Sequence, residues 1–231
     1  MNVGTRLVGL ALLMLAPACS KPSEPAPKPP ALVTAPTSAP TSAAAPLVVF
    51  LGDSLSAGFG VDGDQAFPAR LRSMLAEERC SFRLVNAGVS GDTSAGGRAR
   101  IEWLLRQKPD VVVVELGGND GLRGQPLAGI EDNLRVILRA AKAAGAKVLL
   151  TGMRIPPSYG PEYSGGFAAI YPGLARQESV LLVPFLLEGV AGDPELNQPD
   201  GIHPTPEGHR RVAATVAPYL RSLLGCAPTA S

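Results

Sequence analysis

The sequence predicts an α/β domain built as a doubly wound parallel sheet, on three observations. Short apolar, β-branched runs alternate with longer segments of helical period; there are five of each; and turn residues separate them. The strands are expected at Leu47 to Leu51, Phe82 to Val85, Val111 to Leu116, Lys147 to Thr151 and Val180 to Val183. These runs are mostly apolar throughout rather than alternating, as strands covered on both faces require. Helices are expected near 66–79, 94–107, 127–143, 164–177 and 206–224. In the third of these, Leu127, Ile130, Leu134, Ile137 and Leu138 recur at the spacing of a single helix face. No internal repeat is visible, and residues 47–226 read as one domain.

Two segments of different physics precede it. Residues 1–18 carry Arg6 and then ten apolar or small residues from Leu7 to Ala16. Ten residues cannot span a hydrocarbon core, which takes about 20, and the pattern reads as an export signal. The run Leu15-Ala16-Pro17-Ala18-Cys19 resembles the lipobox of bacterial lipoproteins, with Ala16 where that pattern prefers Leu. The resemblance implies lipidation of Cys19; simple cleavage after Ala18 is the alternative. Residues 19–46 hold eight of the 23 prolines among Ala, Ser and Thr, so the segment cannot build a core. As an extended polyproline II tether it would reach about 80 Å. Residues 227–231 are expected to form a flexible tail.

Charge narrows the partners. The chain has 21 Lys and Arg against 20 Asp and Glu, and removal of residues 1–18 takes away Arg6 alone, leaving the two signs equal. A neutral chain has no electrostatic grip on nucleic acid, so none is expected as a partner. Any hold on a membrane would come from a lipid on Cys19. The protein is expected outside the cytoplasm, periplasmic or anchored facing the periplasm, and monomeric.

In open α/β sheets ligands bind beyond the carboxyl ends of the strands, and the polar clusters of this chain fall there. The first strand runs into Gly52-Asp53-Ser54-Leu55-Ser56, the second into Asn86 to Asp92, the third into Gly117-Gly118-Asn119-Asp120; Asp200-Gly201-Ile202-His203-Pro204 follows the fifth. There are two histidines, His203 and His209, so candidates for a general base are few. A serine hydroxyl attacks an acyl carbon only when a base takes its proton and an acceptor orients that base. Ser54, His203 and Asp200 supply these three parts. Negative charge then builds on the carbonyl oxygen, and the candidate donors to it are the Ser54 N–H, the Gly91 N–H and the Asn119 amide.

These blocks, Gly52 to Gly58, Asn86 to Ser94, Val114 to Gly124 and Asp200 to Pro204, resemble the four signature blocks of the GDSL, or SGNH, hydrolases. The likeness is strongest to the bacterial arylesterase branch, which includes acyl-CoA thioesterases and lysophospholipases, and covers most of residues 47–224. It implies a three-layer α/β/α, flavodoxin-like fold with strand order 2-1-3-4-5. It also implies a Ser54 nucleophile, oxyanion donors Gly91 and Asn119, a triad completed by Asp200 and His203, and small ester or thioester substrates with no cofactor. Relatives commonly carry Asn before Tyr-Gly after the fourth strand, where this chain has Ile155-Pro156-Pro157-Ser158-Tyr159-Gly160. Ile155, Pro156 and Ser158 are therefore expected to touch substrate, with the shorter Ser158 altering the acyl contacts. A carbohydrate O-acetyl esterase of the cell envelope, and a non-catalytic acyl-binding lipoprotein, are the alternatives.

The remaining polar residues read as structural. Asp53, Asp92 and Asp120 are expected to cap helices or form turns. His209 is expected to be solvated or capping, and Arg98, Arg100, Arg210 and Arg211 to lie on solvated helix faces. No Cys/His cluster has metal-ligand spacing and no phosphate-binding Gly-rich motif is present, so no metal or nucleotide is expected. Cys80 follows the first long helix and Cys226 the last. With strand order 2-1-3-4-5 these helices share one face and end at the edge away from the site, so a disulfide between the two is expected.

Overall fold

The computed structural model describes residues 45–226. The export segment, Cys19, the tether up to residue 44 and the tail at 227–231 lie outside the described residues. Five parallel strands, β1 (Leu47–Gly52), β2 (Arg83–Gly88), β3 (Val111–Glu115), β4 (Lys147–Thr151) and β5 (Leu181–Val183), lie in the order β2-β1-β3-β4-β5. This is the expected sheet. β1 and β3 are buried along their whole length, which is why Leu-Val-Val-Phe-Leu and Val-Val-Val-Val show no alternation. β2 runs three residues past its expected end because Asn86, Ala87 and Gly88 stay paired with Phe50, Leu51 and Gly52.

Seven helices are present among the described residues: α1 (Ser54–Ala57), α2 (Phe67–Glu77), α3 (Ser94–Leu105), α4 (Gly118–Leu122), α5 (Leu127–Ala143), α6 (Pro161–Glu178) and α7 (Pro206–Leu224). The five long ones match the periodic segments; α6 starts three residues early, with Pro161 at its first position, where the missing N–H costs nothing. Single turns such as α1 and α4 are too short to show a period, and both were missed. α2 packs on α7, while α3, α5 and α6 pack in series. On α5 the buried face is Ile130, Leu134, Ile137, Leu138 and Ala141.

α7 starts at Thr205, whose hydroxyl accepts from the Gly208 N–H, and stops at Gly225 in the left-handed conformation. One residue later Cys226 is joined to Cys80, which follows α2, with Cα atoms 5.8 Å apart. The bridge ties the ends of the two packed helices. On a loop-closure argument a bridge of this span stabilises by up to about 5 kcal/mol.

His209 departs from expectation: it is buried, with 1% exposure. The charged neighbours Glu207, Arg210 and Arg211 made it look solvated, but its own position faces α2, beside Gly208 and Val212 on the buried side of α7. Its Nδ1 accepts from the Phe67 N–H at 3.2 Å, and its ring lies parallel to that of Phe67. Burial lowers its pKa from 6.5 to about 4. The unfolded chain therefore takes up a proton that the folded chain refuses between these values, so this contribution to stability is complete above pH 6.5 and is lost as pH falls toward 4. The shift corresponds to about 3 kcal/mol. In urea unfolding from pH 7 to pH 4, the wild type is expected to lose about that much more stability than His209→Gln; parallel curves would contradict it.

Candidate active site

The site is set by where the strands stop. Gly52, the last residue of β1, pairs with Gly88 of β2 on one side and with Glu115 of β3 on the other. α1 turns back directly over this level. A Cβ at Gly88 would lie 2.3 Å from the backbone nitrogen of Ala57, so glycine is required for α1 to sit there. The Asn86 amide donates to the Ser56 carbonyl at 2.7 Å, fixing the same turn from β2. Ser54, the first residue of α1, follows Asp53, whose carboxylate caps the turn by accepting from the Leu55 N–H at 3.0 Å.

The loop before α7 delivers the partners. His203 Nε2 is 2.9 Å from Ser54 Oγ and His203 Nδ1 is 2.7 Å from Asp200 Oδ2. Asp200 Oδ1 also accepts from the backbone N–H groups of Ile202 and His203, so acceptor and base are parts of one turn. The His203 bond, followed by these backbone donors, holds the Asp200 carboxyl down at about 2. Asp200 is thus a fixed anion facing the imidazole. Two residues unremarked in the sequence complete the placement. Phe59 packs on the imidazole with ring centres 4.5 Å apart, and the Gln198 side-chain amide donates to the carbonyls of Phe59 and Pro204 while its backbone N–H donates to the His203 carbonyl.

Gly91 turns with φ +81°, a conformation that favours glycine, and among the described residues its N–H and that of Ser54 have no acceptor. Asn119, in α4, comes to the same place, and its amide nitrogen donates to Asp53 Oδ2 at 3.1 Å and to the Asp92 carbonyl at 3.0 Å. Both amide hydrogens are engaged, so an oxyanion would have to draw one of them away. Asp53 is nearly inaccessible and Glu115 wholly so. Burial raises the pKa of both, and for Glu115 the neighbouring Asp53 charge adds to it. Asp53 does cap, as expected, but it also belongs to this buried acidic pair. Glu115 was missed because a lone acid inside an apolar strand run belongs to no motif that marks a buried carboxyl.

Ser54, His203, Gly91 and Asn119 line one cleft of about 550 Å³, a size typical of small-molecule sites. Its walls are largely apolar, from Leu55, Leu122, Met153, Ile155, Phe185 and Leu187, with Arg154 stacked on Phe185 at 4.6 Å. Ile155 and Pro156 line it, together with Pro157. Ser158 does not: it lies in a short 3-10 turn, exposed and outside the cleft, because Pro156 and Pro157 end the extended segment and turn the chain outward. Among the described residues no cluster of His, Cys, Asp and Glu is arranged to hold a metal ion.

The sequence profile of the GDSL-like lipase/acylhydrolase family matches residues 50–211. The chain belongs to this family. It is 49% identical over 183 residues to esterase TesA of Pseudomonas aeruginosa, covering 79% of this chain and 91% of that one. To the Escherichia coli thioesterase 1/protease 1/lysophospholipase L1 it is 45% identical over 184 residues, covering 79% and 87%. The crystal structure of TesA superposes with a TM-score of 0.74 at 49% identity over 77% of this chain and 98% of that one. The esterase EstA of Pseudoalteromonas, solved inhibited by monoethylphosphonate, does so with 0.74 at 32% over 78% and 98%. The family assignment and the sheet agree with the resemblance read from the signature blocks.

Arg100 corrects the expectation of a solvated face. Its guanidinium bonds the carbonyls of Ala87 and Gly52 and the carboxylate of Asp92, clamping the ends of β1 and β2 to the loop that carries Gly91. Side-chain exposures are 23% for Arg100 and 12% for Asp92, against 45% and 58% for the Arg98–Asp132 pair, which is solvated as expected. Arg210 and Arg211 also lie exposed, paired with Glu207. Arg100→Met should therefore destabilise by about 2–4 kcal/mol, by leaving part-buried acceptors unpaired. Arg98→Met should cost under about 1 kcal/mol. Equal losses in denaturant titrations would refute the clamp.

Proposed function

We propose that the protein is a serine esterase and thioesterase that hydrolyses carboxylic esters and thioesters, such as aryl esters, acyl thioesters or lysophospholipids, through an acyl-Ser54 intermediate. The observation that carries this reading is the Asp200–His203–Ser54 relay, at 2.7 and 2.9 Å, opening into an apolar cleft beside two unpaired backbone N–H groups. His203 takes the Ser54 proton as Oγ attacks the acyl carbon. Asp200 holds the imidazole so that Nε2 faces the serine and stabilises the charge it acquires. The carbonyl oxygen becomes an oxyanion among the N–H groups of Ser54 and Gly91 and the Asn119 amide. Collapse expels the alcohol or thiol, protonated by His203. Water, deprotonated by the same imidazole, then attacks the acyl enzyme, and Ser54 recovers its proton as the acid leaves.

The relatives' names, esterase and thioesterase 1/protease 1/lysophospholipase L1, support acyl transfer from both oxygen and sulfur leaving groups. The apolar walls suit an acyl chain. A fluorophosphonate is expected to label the wild type at Ser54 and not Ser54→Ala, which should also lose about 10⁴- to 10⁶-fold in kcat. Ester and thioester substrates from acetyl to palmitoyl should show rates rising beyond acetyl; a sharp acetyl optimum would favour the carbohydrate deacetylase alternative. Absence of labelling would favour a binding protein.

Export through residues 1–18, lipidation at Cys19 and a tether over residues 19–46 are part of the same proposal. The lipobox resemblance and the proline content support them. No helix among the described residues is long and apolar enough to cross a membrane. Cys19→Ala is expected to move the protein from the membrane fraction to the soluble fraction; unchanged fractionation would exclude the anchor.

A further inference from the structure

We propose that Glu115 is a positioning residue for the reaction, acting through Asp53 on the oxyanion donor Asn119. The inference rests on the assignment of Asn119 to the oxyanion hole. Its basis is a chain of contacts that the triad does not use. Glu115 Oε2 accepts from the Asp53 N–H at 3.1 Å, the Ser56 N–H at 3.2 Å and the Ser56 hydroxyl at 2.8 Å. Its other oxygen, Oε1, is buried and has no donor. An orphaned carboxylate oxygen in a dry site is expensive, and a second carboxylate beside it makes it more so. The neighbour is Asp53, whose backbone N–H already bonds Oε2 and whose buried carboxyl is near enough for its charge to raise the Glu115 pKa further. A proton on Glu115 resolves both difficulties, since Oε1–H then donates to Asp53 and the pair carries one negative charge instead of two.

Asp53 passes this on. One of its oxygens accepts from the Leu55 N–H at the nucleophile turn and the other from the Asn119 amide. It also lines the cleft in which the oxyanion forms. A bare carboxylate here would hold the Asn119 amide tightly and repel the developing negative charge. One that accepts a hydrogen bond from protonated Glu115 does both less strongly. Glu115 thereby sets how freely Asn119 turns an N–H toward the oxyanion, without touching substrate. A purely architectural role, receiving the donors of Ser56 and Asp53, is the competing account.

The two separate by rescue and by coupling. Glu115→Gln keeps an acceptor for Ser56 and a donor for Asp53, whereas Glu115→Met keeps the volume and neither. With a p-nitrophenyl ester, Glu115→Gln is expected within about 3-fold of wild-type kcat, and Glu115→Met about 10²-fold below it with KM changed less than about 3-fold. Asn119→Ala alone should cost about 10²- to 10³-fold, and adding Glu115→Met should cost less than about 3-fold more, because both act through one donor. Gln as damaging as Met, or losses that multiply in the double variant, would overturn the proposal. If Glu115→Met does not fold, the same cycle with Asp53→Ala decides it: coupling to Asn119 supports the chain of contacts, and multiplicative losses overturn it. Unchanged kcat in Asn119→Ala would remove the oxyanion assignment and this inference together. Fluorophosphonate labelling of Ser54 reports on the nucleophile independently of either.

Discussion

The site depends on the level at which three adjacent parallel strands end. Gly52 sits between Gly88 and Glu115 in the ladder, so the turns leaving β1, β2 and β3 start side by side. Two of the three positions lack a side chain, and that lets α1 fold back onto the sheet with Ser54 at its start. Arg100 reaches across from α3 and bonds the carbonyls of Gly52 and Ala87, locking the level from beneath. A catalytic geometry good to a fraction of an ångström needs such support, because small displacements of reacting groups are costly in rate.

A second theme is the management of buried charge. Asp200 is partly open to solvent and stays anionic through the imidazole and two backbone donors. Asp53 and Glu115 lie deeper, where two full charges could not coexist. The same residue type thus serves two ends, an orienting anion at the mouth and a proton-sharing pair at the floor, and the difference lies in access to water. His209 belongs to the same physics: with its base form fixed by the Phe67 N–H, it is a neutral packing element, although it is the only other histidine in the chain.

Much of this was legible in the residues. Unbroken runs such as Val111 to Val114 called for strands covered on both faces, and the five-fold alternation with helical periods called for a parallel sheet. Scarcity of histidine and the spacing of Asp200 and His203 pointed to the relay. Glu115, Arg100 and His209 were not legible, for one reason. Each is a polar residue whose partners in space, backbone groups, carboxylates or rings, lie 8 to 142 residues away, and no motif in its own stretch of sequence marks them. Ser158 differs in the opposite sense, since it lies close in sequence to Ile155 and Pro156, yet the chain turns away from the cleft after Pro157 and leaves Ser158 exposed outside it.

The sequence by itself determined the order and kind of the elements, the family, and which side chains could form a nucleophile, a base and an orienting acid, because these follow from periodicity, turn chemistry and residue type. Only the tertiary structure decided which polar groups lose water. Burial and the pairing of charges depend on what a strand register and a helix crossing bring together. That is why the acidic pair beneath Ser54, the Arg100 clamp and the neutral His209 emerge only when the chain is folded.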